Sequence, residues 1–274
     1  MPAVRVAPLP AWLPRERLLG PAAWHHEGAV ATAELGVPAA ADLAARLRGV
    51  GLGGQLLEVE VTPALPRAAV RAARTTDARR RRDASPGFSR PGVRLDEEGQ
   101  VSLTPEALAL ALGRPLAGCR VVDATCGAGG NTIGFARAGA QVVAVEQDAA
   151  RLALARHNAG IYGMADRIRF VRGDALLEVG RLHADVLFID PPWGVDWDRA
   201  RTGLASVPLL AALLPLARAA GIYGAIWAKV PPSFDPAEWP EAQVEAVFGA
   251  GEGDARRVKF LVFREARDVV VAGR

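Results

Sequence analysis

The sequence predicts an α/β protein with a mostly parallel seven-stranded sheet, helices on both faces, and a smaller N-terminal extension that is α+β or helical. Half of the 274 residues are apolar, which is enough for a large core. From residue 100 onward, strand-like apolar segments alternate with helical segments, and this alternation favours a parallel sheet. Distinctive polar motifs follow several of these strands, at the sheet edge where such folds bind ligands.

The predicted main domain covers residues 86–274. Thr104 is a good N-cap and Pro105 suits the first position of a helix. Further helices are predicted over residues 131–138, 149–162 and 206–220. The seven strands are predicted at residues 120–124, 141–146, 168–171, 184–189, 222–230, 244–248 and 258–263.

The predicted extension covers residues 1–85. The prolines at positions 8, 10, 14 and 21 indicate an irregular start, because proline lacks a backbone donor and restricts its neighbour. Residues 39–50 and 68–82 are compatible with helices, and residues 56–61 with a strand that has one wet face. Ser85-Pro86-Gly87 predicts a linker.

Positive charge is concentrated in this extension. Residues 1–90 hold 13 arginines against 8 acidic residues, although the whole chain has a formal net charge of only +3. Between residues 67 and 82, seven arginines face a single aspartate. Such a segment can pair with the phosphates of a polyanion, so we predict that the extension binds nucleic acid. A solvated helix face or a flexible linker is the alternative interpretation.

A glycine-rich loop follows the first strand of the main domain, where the sequence reads Asp123-Ala-Thr-Cys-Gly-Ala-Gly-Gly-Asn-Thr132. Glycine lets the backbone turn sharply and approach a ligand closely. A dinucleotide site would need Gly-x-Gly-x-x-Gly, which this loop lacks, and it has no Walker lysine. An ordinary tight turn is the other interpretation of the loop alone.

Acidic residues at successive strand ends indicate which ligand binds. Asp123 can orient a cationic ammonium group, Glu146 can accept both ribose hydroxyls, and Asp174 can accept from an adenine amino group. This order favours S-adenosylmethionine as the cofactor and hence a Rossmann-like, class I methyltransferase domain. The predicted cofactor-binding residues are Asp123, Ala124, Cys126, Gly127, Gly129, Asn131, Glu146, Gln147, Asp174 and Ala175.

The motif Asp190-Pro191-Pro192-Trp193 follows the fourth strand and predicts the acceptor site. Two prolines impose a stiff, extended backbone with free carbonyls. A carboxylate and a carbonyl that accept both hydrogens of an aryl amine can aim its lone pair at a methyl group. Trp193 offers a face for stacking a base. We therefore predict these four residues as catalytic; a strand-ending turn with a packed indole is the structural alternative.

Residues 88–193 resemble the trimethylguanosine synthase family, the RNA cap guanine-N2 methyltransferases. The resemblance rests on residues 88–106, on the loop at 121–133, on the helix at 153–163, and on the acceptor motif at 185–194. It implies that Ser102 and Thr104 border the cofactor and base pocket, that Asn158 reaches it, and that Trp193 stacks the guanine. The family usually has serine where this chain has Asp190, so the motif also resembles that of general base-amino methyltransferases.

The predicted function is therefore methylation of the exocyclic N2 amine of guanine in a structured RNA, with the basic extension gripping that RNA. Three alternatives stay open: adenine-N6 or cytosine-N4 methylation of nucleic acid, a small-molecule N-methyltransferase, and a noncatalytic RNA-binding protein. We expect a cytoplasmic protein without a membrane span, because no signal-like segment and no long uncharged apolar run occurs. Two cysteines define neither a zinc site nor a disulfide framework, so we expect no metal.

Overall fold

The structure is a computed structural model that describes residues 1–82, 84–193 and 197–267. The seven strands of its main sheet are β7 (Arg120–Asp123), β8 (Gln141–Glu146), β9 (Ile168–Arg172), β10 (Ala184–Ile189), β11 (Tyr223–Val230), β12 (Gln243–Phe248) and β13 (Val258–Ala266). Their order in the sheet is β12-β13-β11-β10-β7-β8-β9. All neighbouring pairs that do not involve β13 are parallel, whereas β13 is antiparallel to both of its neighbours.

Helices cover both faces of this sheet, as the alternating pattern predicted. They are α4 (Glu97–Ser102), α5 (Glu106–Gly113), α6 (Gly130–Arg137), α7 (Ala149–Ile161), α8 (Ala175–Glu178) and α9 (Pro208–Ala220). One prediction in this region is wrong. Thr104 does not cap α5, because Pro105 occupies the capping position and the Thr104 hydroxyl accepts a hydrogen bond from Lys229 instead.

The N-terminal extension is α+β. Its elements are β1 (Ala3–Ala7), α1 (Arg15–Leu19), β2 (His25–Glu27), β3 (Val30–Glu34), α2 (Val37–Leu47), β4 (Gly51–Leu52), β5 (Gln55–Leu56), β6 (Glu58–Thr62) and α3 (Arg67–Arg80). Four of these strands form an antiparallel sheet in the order β2-β3-β1-β6, and β4 and β5 form a short hairpin with two residues in each strand. The Rossmann-like fold with an appended smaller unit is thereby confirmed.

The extension shares a hydrophobic core with the main domain. Val6 and Leu43 of the extension belong to the same buried cluster as Leu187 of β10 and Leu210 of α9. A second cluster fills the other face of the seven-stranded sheet. Ser85, in the predicted linker, is buried and its hydroxyl and amide both donate to the Asp254 carboxylate. The two units are therefore packed together, and the boundary near residue 85 stays a prediction.

The parallel register sets the position of the site. β10 lies between β7 and β11, and Ile189 at the end of β10 pairs with Ala228 of β11. The next residues along the two strands are Asp190 and Lys229, which therefore lie side by side. Strand ends from β11 to β9 form one continuous edge, where the predicted functional residues converge. None of the described helices is long and apolar enough to cross a membrane.

Candidate active site

The loop between β7 and α6 forms the floor of the site. Gly127 and Gly129 have φ angles of +52° and +96°, which residues with a Cβ rarely adopt. A Cβ on Gly129 would lie 3.2 Å from Ile133 Cδ1 and 3.3 Å from Ala155 Cα, so α7 also packs tightly against this position. The predicted need for glycine in this loop has two physical reasons, a turn and a close approach.

Asp123 is fully buried at the end of β7. Its carboxylate accepts a hydrogen bond from Thr132 Oγ1 at 2.5 Å and one from the Thr125 amide at 3.4 Å. Burial raises the pKa of Asp123 to about 7, and the negative charges of Asp190 and Glu146 push it in the same direction. Asp123 is therefore an acid whose ionisation depends on what binds beside it.

Glu146 ends β8 next to the same loop. One carboxylate oxygen accepts from the Gly127 amide at 3.0 Å, and the other accepts from the Asp148 amide at 3.0 Å. Each carboxylate oxygen can accept a second hydrogen bond, so the ribose-binding role predicted for Glu146 remains chemically available. Ala124 and Cys126, also predicted contacts, are buried in the loop between these two acids.

Asp174 lies farther along the sheet edge, after β9. It is exposed, and one carboxylate oxygen caps α8 by accepting from the Leu176 amide at 2.9 Å. Its other oxygen can still accept from an adenine amino group. Gln147 is exposed after β8, and Ala175 is buried in the first turn of α8. These placements follow the order of the strands, and the contacts of the three residues with a cofactor stay predictions.

Asp190 is tied to the glycine-rich loop by two residues of that loop. The Thr125 hydroxyl donates to the Asp190 carbonyl at 2.9 Å and accepts from the Asp190 amide at 3.0 Å. Asn131 Nδ2 donates to Asp190 Oδ2 at 2.7 Å. The Asn131 amide oxygen is buried and has no hydrogen-bond partner among the described residues. An amino group of a bound molecule would satisfy this oxygen.

Trp193 lies beside Asp190, at the end of the acceptor motif. Its ring is half-buried, and Trp197 packs edge-on against it with 6.0 Å between the ring centroids. Its indole nitrogen is buried and donates to none of the described residues. Of the two prolines before it, Pro191 is buried and Pro192 is exposed. Gly194, the last residue of the matched motif, lies outside the described residues.

Lys229 is a site residue that the sequence analysis did not identify. Its side chain is 5% exposed, and its ammonium donates to Asp190 Oδ2 at 2.8 Å and to Thr104 Oγ1 at 2.9 Å. It also lies 5.3 Å from the centroid of the Trp193 ring and 5.1 Å from that of Phe260. A signal was available, because Lys229 is one of only two lysines among 33 basic residues and ends an apolar strand.

The three residues assigned by family resemblance lie in different surroundings. Thr104 is buried against Lys229, whereas Ser102 is exposed at the end of α4. Asn158 is fully buried, and its amide bonds the backbone amide and carbonyl of Arg94 and the carbonyl of Ala128. These bonds hold the segment before α4 against the glycine-rich loop. A direct substrate contact by Asn158 would therefore have to replace one of them.

Three of the predicted acidic residues are thus joined by hydrogen bonds to the glycine-rich loop. Asp123 is joined to it through Thr125 and Thr132, Glu146 through Gly127, and Asp190 through Thr125 and Asn131. Within the described ranges, no group of three or more His, Cys, Asp or Glu side chains is placed to hold a metal ion. The network is rich in hydrogen-bond acceptors, which suits a cationic ligand and a base with amino groups.

Comparison with known proteins identifies sequence relatives of the central segment. Residues 118–202 match a family model described as RNA cap guanine-N2 methyltransferase. A trimethylguanosine synthase from Schizosaccharomyces pombe is 36% identical over 119 residues, which are 39% of this chain and 49% of that protein. A 23S rRNA (uracil(1939)-C(5))-methyltransferase, RlmD, from Acidithiobacillus ferrooxidans is 40% identical over 91 residues, which are 31% of this chain and 20% of that protein.

A solved structure supports the fold. A candidate methyltransferase from Porphyromonas gingivalis W83 superimposes with a TM-score of 0.50 and 21% sequence identity, over 75% of this chain and 52% of that one. This chain spans about half, or less, of the curated relatives described above. The predicted resemblance is confirmed for this segment: residues 118–202 match the family model of the RNA cap guanine-N2 methyltransferases, and part of the chain is similar to two curated RNA methyltransferases.

Proposed function

We propose that this protein transfers a methyl group from S-adenosylmethionine to the exocyclic N2 amine of a guanine in RNA. One observation carries the proposal: Thr125 and Asn131 join the acceptor motif at Asp190 directly to the glycine-rich loop. A methyl donor on the loop and an amine on Asp190 would therefore be held in a fixed mutual geometry, which is the main requirement for methyl transfer. The match to a guanine-N2 family supports the choice of base.

The residues of the cleft fit the cofactor. The loop turns through a positive φ at Gly129 with neighbouring atoms close by, and the buried Asn131 oxygen lacks a partner among the described residues. Glu146 would hold the ribose, and Asp123 would attract the ammonium group of the methionine part directly or through water. Bound S-adenosylmethionine supplies a methyl group made electrophilic by a sulfonium. Three nearby carboxylates, at Asp123, Glu146 and Asp190, favour such a cation over an anionic ligand.

The acceptor site acts by positioning. The Asp190 carboxylate and a carbonyl of the following prolines accept the two amine hydrogens, and the Trp193 face stacks the base. Bound S-adenosylmethionine would supply the methyl carbon to the nitrogen lone pair and would keep the electrons of the broken carbon–sulfur bond on sulfur, and one amine proton would leave to water. Since the proton can leave after the transfer, Asp190 acts as an acceptor that orients the amine and need not be a base.

The two cysteines favour an amine over the C5 carbon of uracil, the target named for the RlmD relative. Carbon C5 becomes nucleophilic when a thiolate adds to the neighbouring C6, so that reaction needs an activated cysteine. Burial raises the pKa of Cys126 well above its ordinary value, and burial also raises that of Cys119. Cys119 precedes β7, at the sheet edge opposite the site. Neither thiol is activated.

The basic extension supplies the grip on RNA. Arg67, Arg71 and Arg74 are spaced by four and three residues on α3, so they share one helix face, and all three are exposed. Two arginines at the end of this helix are engaged: Arg80 pairs with Asp42, and Arg81, the residue after α3, pairs with Asp77. The first three arginines are available to phosphates.

The test uses the full chain, labelled S-adenosylmethionine and total RNA from cells that lack the protein. Digestion to nucleosides and mass analysis is expected to yield N2-methylguanosine, and Asp190→Ala is expected to lower the rate by about 100-fold or more with cofactor binding retained. N6-methyladenosine or N4-methylcytidine would assign the same site to another amine. Methylation of small molecules alone would remove RNA as the substrate. Cofactor binding without transfer would indicate a noncatalytic RNA-binding protein.

A further inference from the structure

The ammonium of Lys229 contacts three groups of the predicted acceptor site. It donates to Asp190 Oδ2 at 2.8 Å and to Thr104 Oγ1 at 2.9 Å, and it lies 5.3 Å from the centroid of the Trp193 ring. The side chain is 5% exposed. A lysine is rarely buried to this extent unless it is paired, because a buried charge is costly. The cost of burying this ammonium indicates that it has a role at the acceptor site.

The position of Lys229 follows from the strand register. Because Ile189 pairs with Ala228, Asp190 and Lys229 are the next neighbours at the ends of β10 and β11. Phe260 of β13 lies on the other side, 5.1 Å from the ammonium. The lysine is thus confined between a carboxylate, a hydroxyl and two aromatic rings. A side chain confined in this way can hold its partners in one arrangement.

The two donors to Asp190 converge on the same oxygen. Lys229 Nζ and Asn131 Nδ2 both donate to Oδ2, at 2.8 Å and 2.7 Å. Two hydrogen bonds fill the acceptor sites of that oxygen, and none of the described residues donates to Oδ1. Oδ1 is therefore the oxygen left for a hydrogen of the acceptor amine. The pairing also selects one rotamer of the carboxylate out of those that a free Asp could adopt.

We propose that Lys229 is a positioning residue, which keeps Asp190 oriented with Oδ1 toward the acceptor amine. This inference rests on the proposed amine methylation. Lys229 itself needs no contact with substrate or cofactor. Its removal changes the orientation of the amine, so the loss falls on the rate of transfer rather than on the affinity for S-adenosylmethionine.

The test compares Lys229→Met with wild type. Methionine keeps the apolar stem and removes the ammonium. We expect kcat to fall by about 100-fold, the loss typical of a misplaced reacting group, with the Kd for S-adenosylmethionine and the KM for RNA changed by less than about threefold. Lys259→Met is the matched control, because Lys259 lies on β13 and its ammonium pairs with Asp254, at 3.2 Å, instead of with a residue of the site. This variant should keep kcat within about twofold of wild type.

A double variant separates positioning from folding. If Lys229 acts through Asp190, then Lys229→Met/Asp190→Asn should lose no more activity than Asp190→Asn alone. Lys229→Met alone leaves the Asp190 carboxylate without its cation, which could prevent folding. The double variant carries no such unpaired charge, so it still tests whether Lys229 acts through Asp190. A further tenfold loss in the double variant would overturn the inference. So would a folded Lys229→Met whose kcat is within threefold of wild type.

The same assay distinguishes this inference from the proposed function. A product other than N2-methylguanosine would overturn the choice of guanine, yet the ratio of rates between Lys229→Met and wild type would still test the lysine on the amine that is methylated. A loss of activity explained entirely by weaker cofactor binding would overturn the role of Lys229 alone. Absence of transfer to any RNA by wild type would overturn both.

Discussion

At the scale of single residues, Asp123 links the site to pH. Its carboxyl is buried and its pKa is raised to about 7, so it binds a proton in the folded protein at pH values where the unfolded chain has already lost it. The folded state therefore holds more protons between about pH 4 and pH 7, and the contribution of Asp123 to stability falls as pH rises through that window.

Cofactor affinity should show the opposite trend. A cationic ligand favours the ionised form of Asp123, so we expect the affinity for S-adenosylmethionine to rise as pH increases from 6 to 8. Below pH 7, binding should release the Asp123 proton to the buffer. Calorimetry in buffers of different ionisation enthalpy measures the released proton. The variant Asp123→Asn should bind more weakly and lose this pH dependence. An affinity that is flat across the range in wild type would exclude Asp123 as the titrating group.

Trp193 is expected to contribute binding of the base. Stacking on an aromatic ring is worth roughly 1–3 kcal/mol per base, so Trp193→Ala should raise the KM for RNA by about 5- to 100-fold. Trp193→Phe keeps an aromatic face and should recover part of this loss. Steady-state kinetics at varied RNA concentration provides the measurement. Equal KM values for the alanine and phenylalanine variants would argue against stacking.

At the scale of elements, Glu106 in the first turn of α5 holds the segment that precedes α4. Its carboxylate accepts from Tyr162 Oη at 2.6 Å, from the Ser89 hydroxyl at 2.7 Å and from Arg137 at 2.5 Å. Burial alone would raise the pKa of Glu106, but the hydrogen bonds from Tyr162, Ser89 and Arg137 outweigh it and lower the pKa to about 2. One carboxylate therefore joins α5, α6, α7 and the segment at residue 89.

The variant Glu106→Gln should reduce the free energy of unfolding by about 2 kcal/mol at pH 7. Because the folded pKa lies below the ordinary value, the stabilisation is present above about pH 4.5 and is lost as pH falls toward 2. Urea unfolding at pH 7 and at pH 3 measures both values. The difference between wild type and variant should shrink at pH 3. The exposed Glu27→Gln serves as the control and should change stability by less than about 0.5 kcal/mol.

At the scale of the whole molecule, the arginine face of α3 should govern affinity for RNA. Replacing Arg67, Arg71 and Arg74 by glutamine removes three phosphate contacts. We expect weaker RNA binding and unchanged affinity for the cofactor. The slope of log K for RNA binding against the logarithm of the salt concentration should become shallower by about 2. Filter binding at several salt concentrations gives this slope. The control replaces three exposed arginines near the starts of β7 and β10, namely Arg114, Arg120 and Arg181, and should retain the wild-type slope.

The extension should also be needed for folding. Val6 and Leu43 share a buried cluster with Leu187 and Leu210 of the main domain, and Arg46 donates to the Arg256 carbonyl across the interface. Removal of residues 1–82 would expose this apolar surface, so we expect a fragment without cooperative unfolding. Circular dichroism during thermal unfolding tests this. A fragment that unfolds cooperatively and binds S-adenosylmethionine would show that the main domain is independent.

The main domain was predictable because its signals are local. Apolar runs separated by helical segments require a parallel sheet, and a parallel sheet brings the ends of its strands to one edge. The strands at Gln141–Glu146 and Ala184–Ile189 were predicted with the bounds that the structure has. The first strands of the extension were not predicted, because they are short, prolines flank the first of them, and they are stabilised by pairing with segments distant in sequence.

The sequence by itself determined the fold of the main domain and the types of residue at its edge, since alternation and glycine-rich turns act within a few residues. Only the tertiary structure decided which side chains touch. Thr104 was expected to cap a helix, yet it accepts from a lysine 125 residues away. Lys229 contacts Asp190 because two strands lie in one register, and no local pattern encodes the register between distant strands.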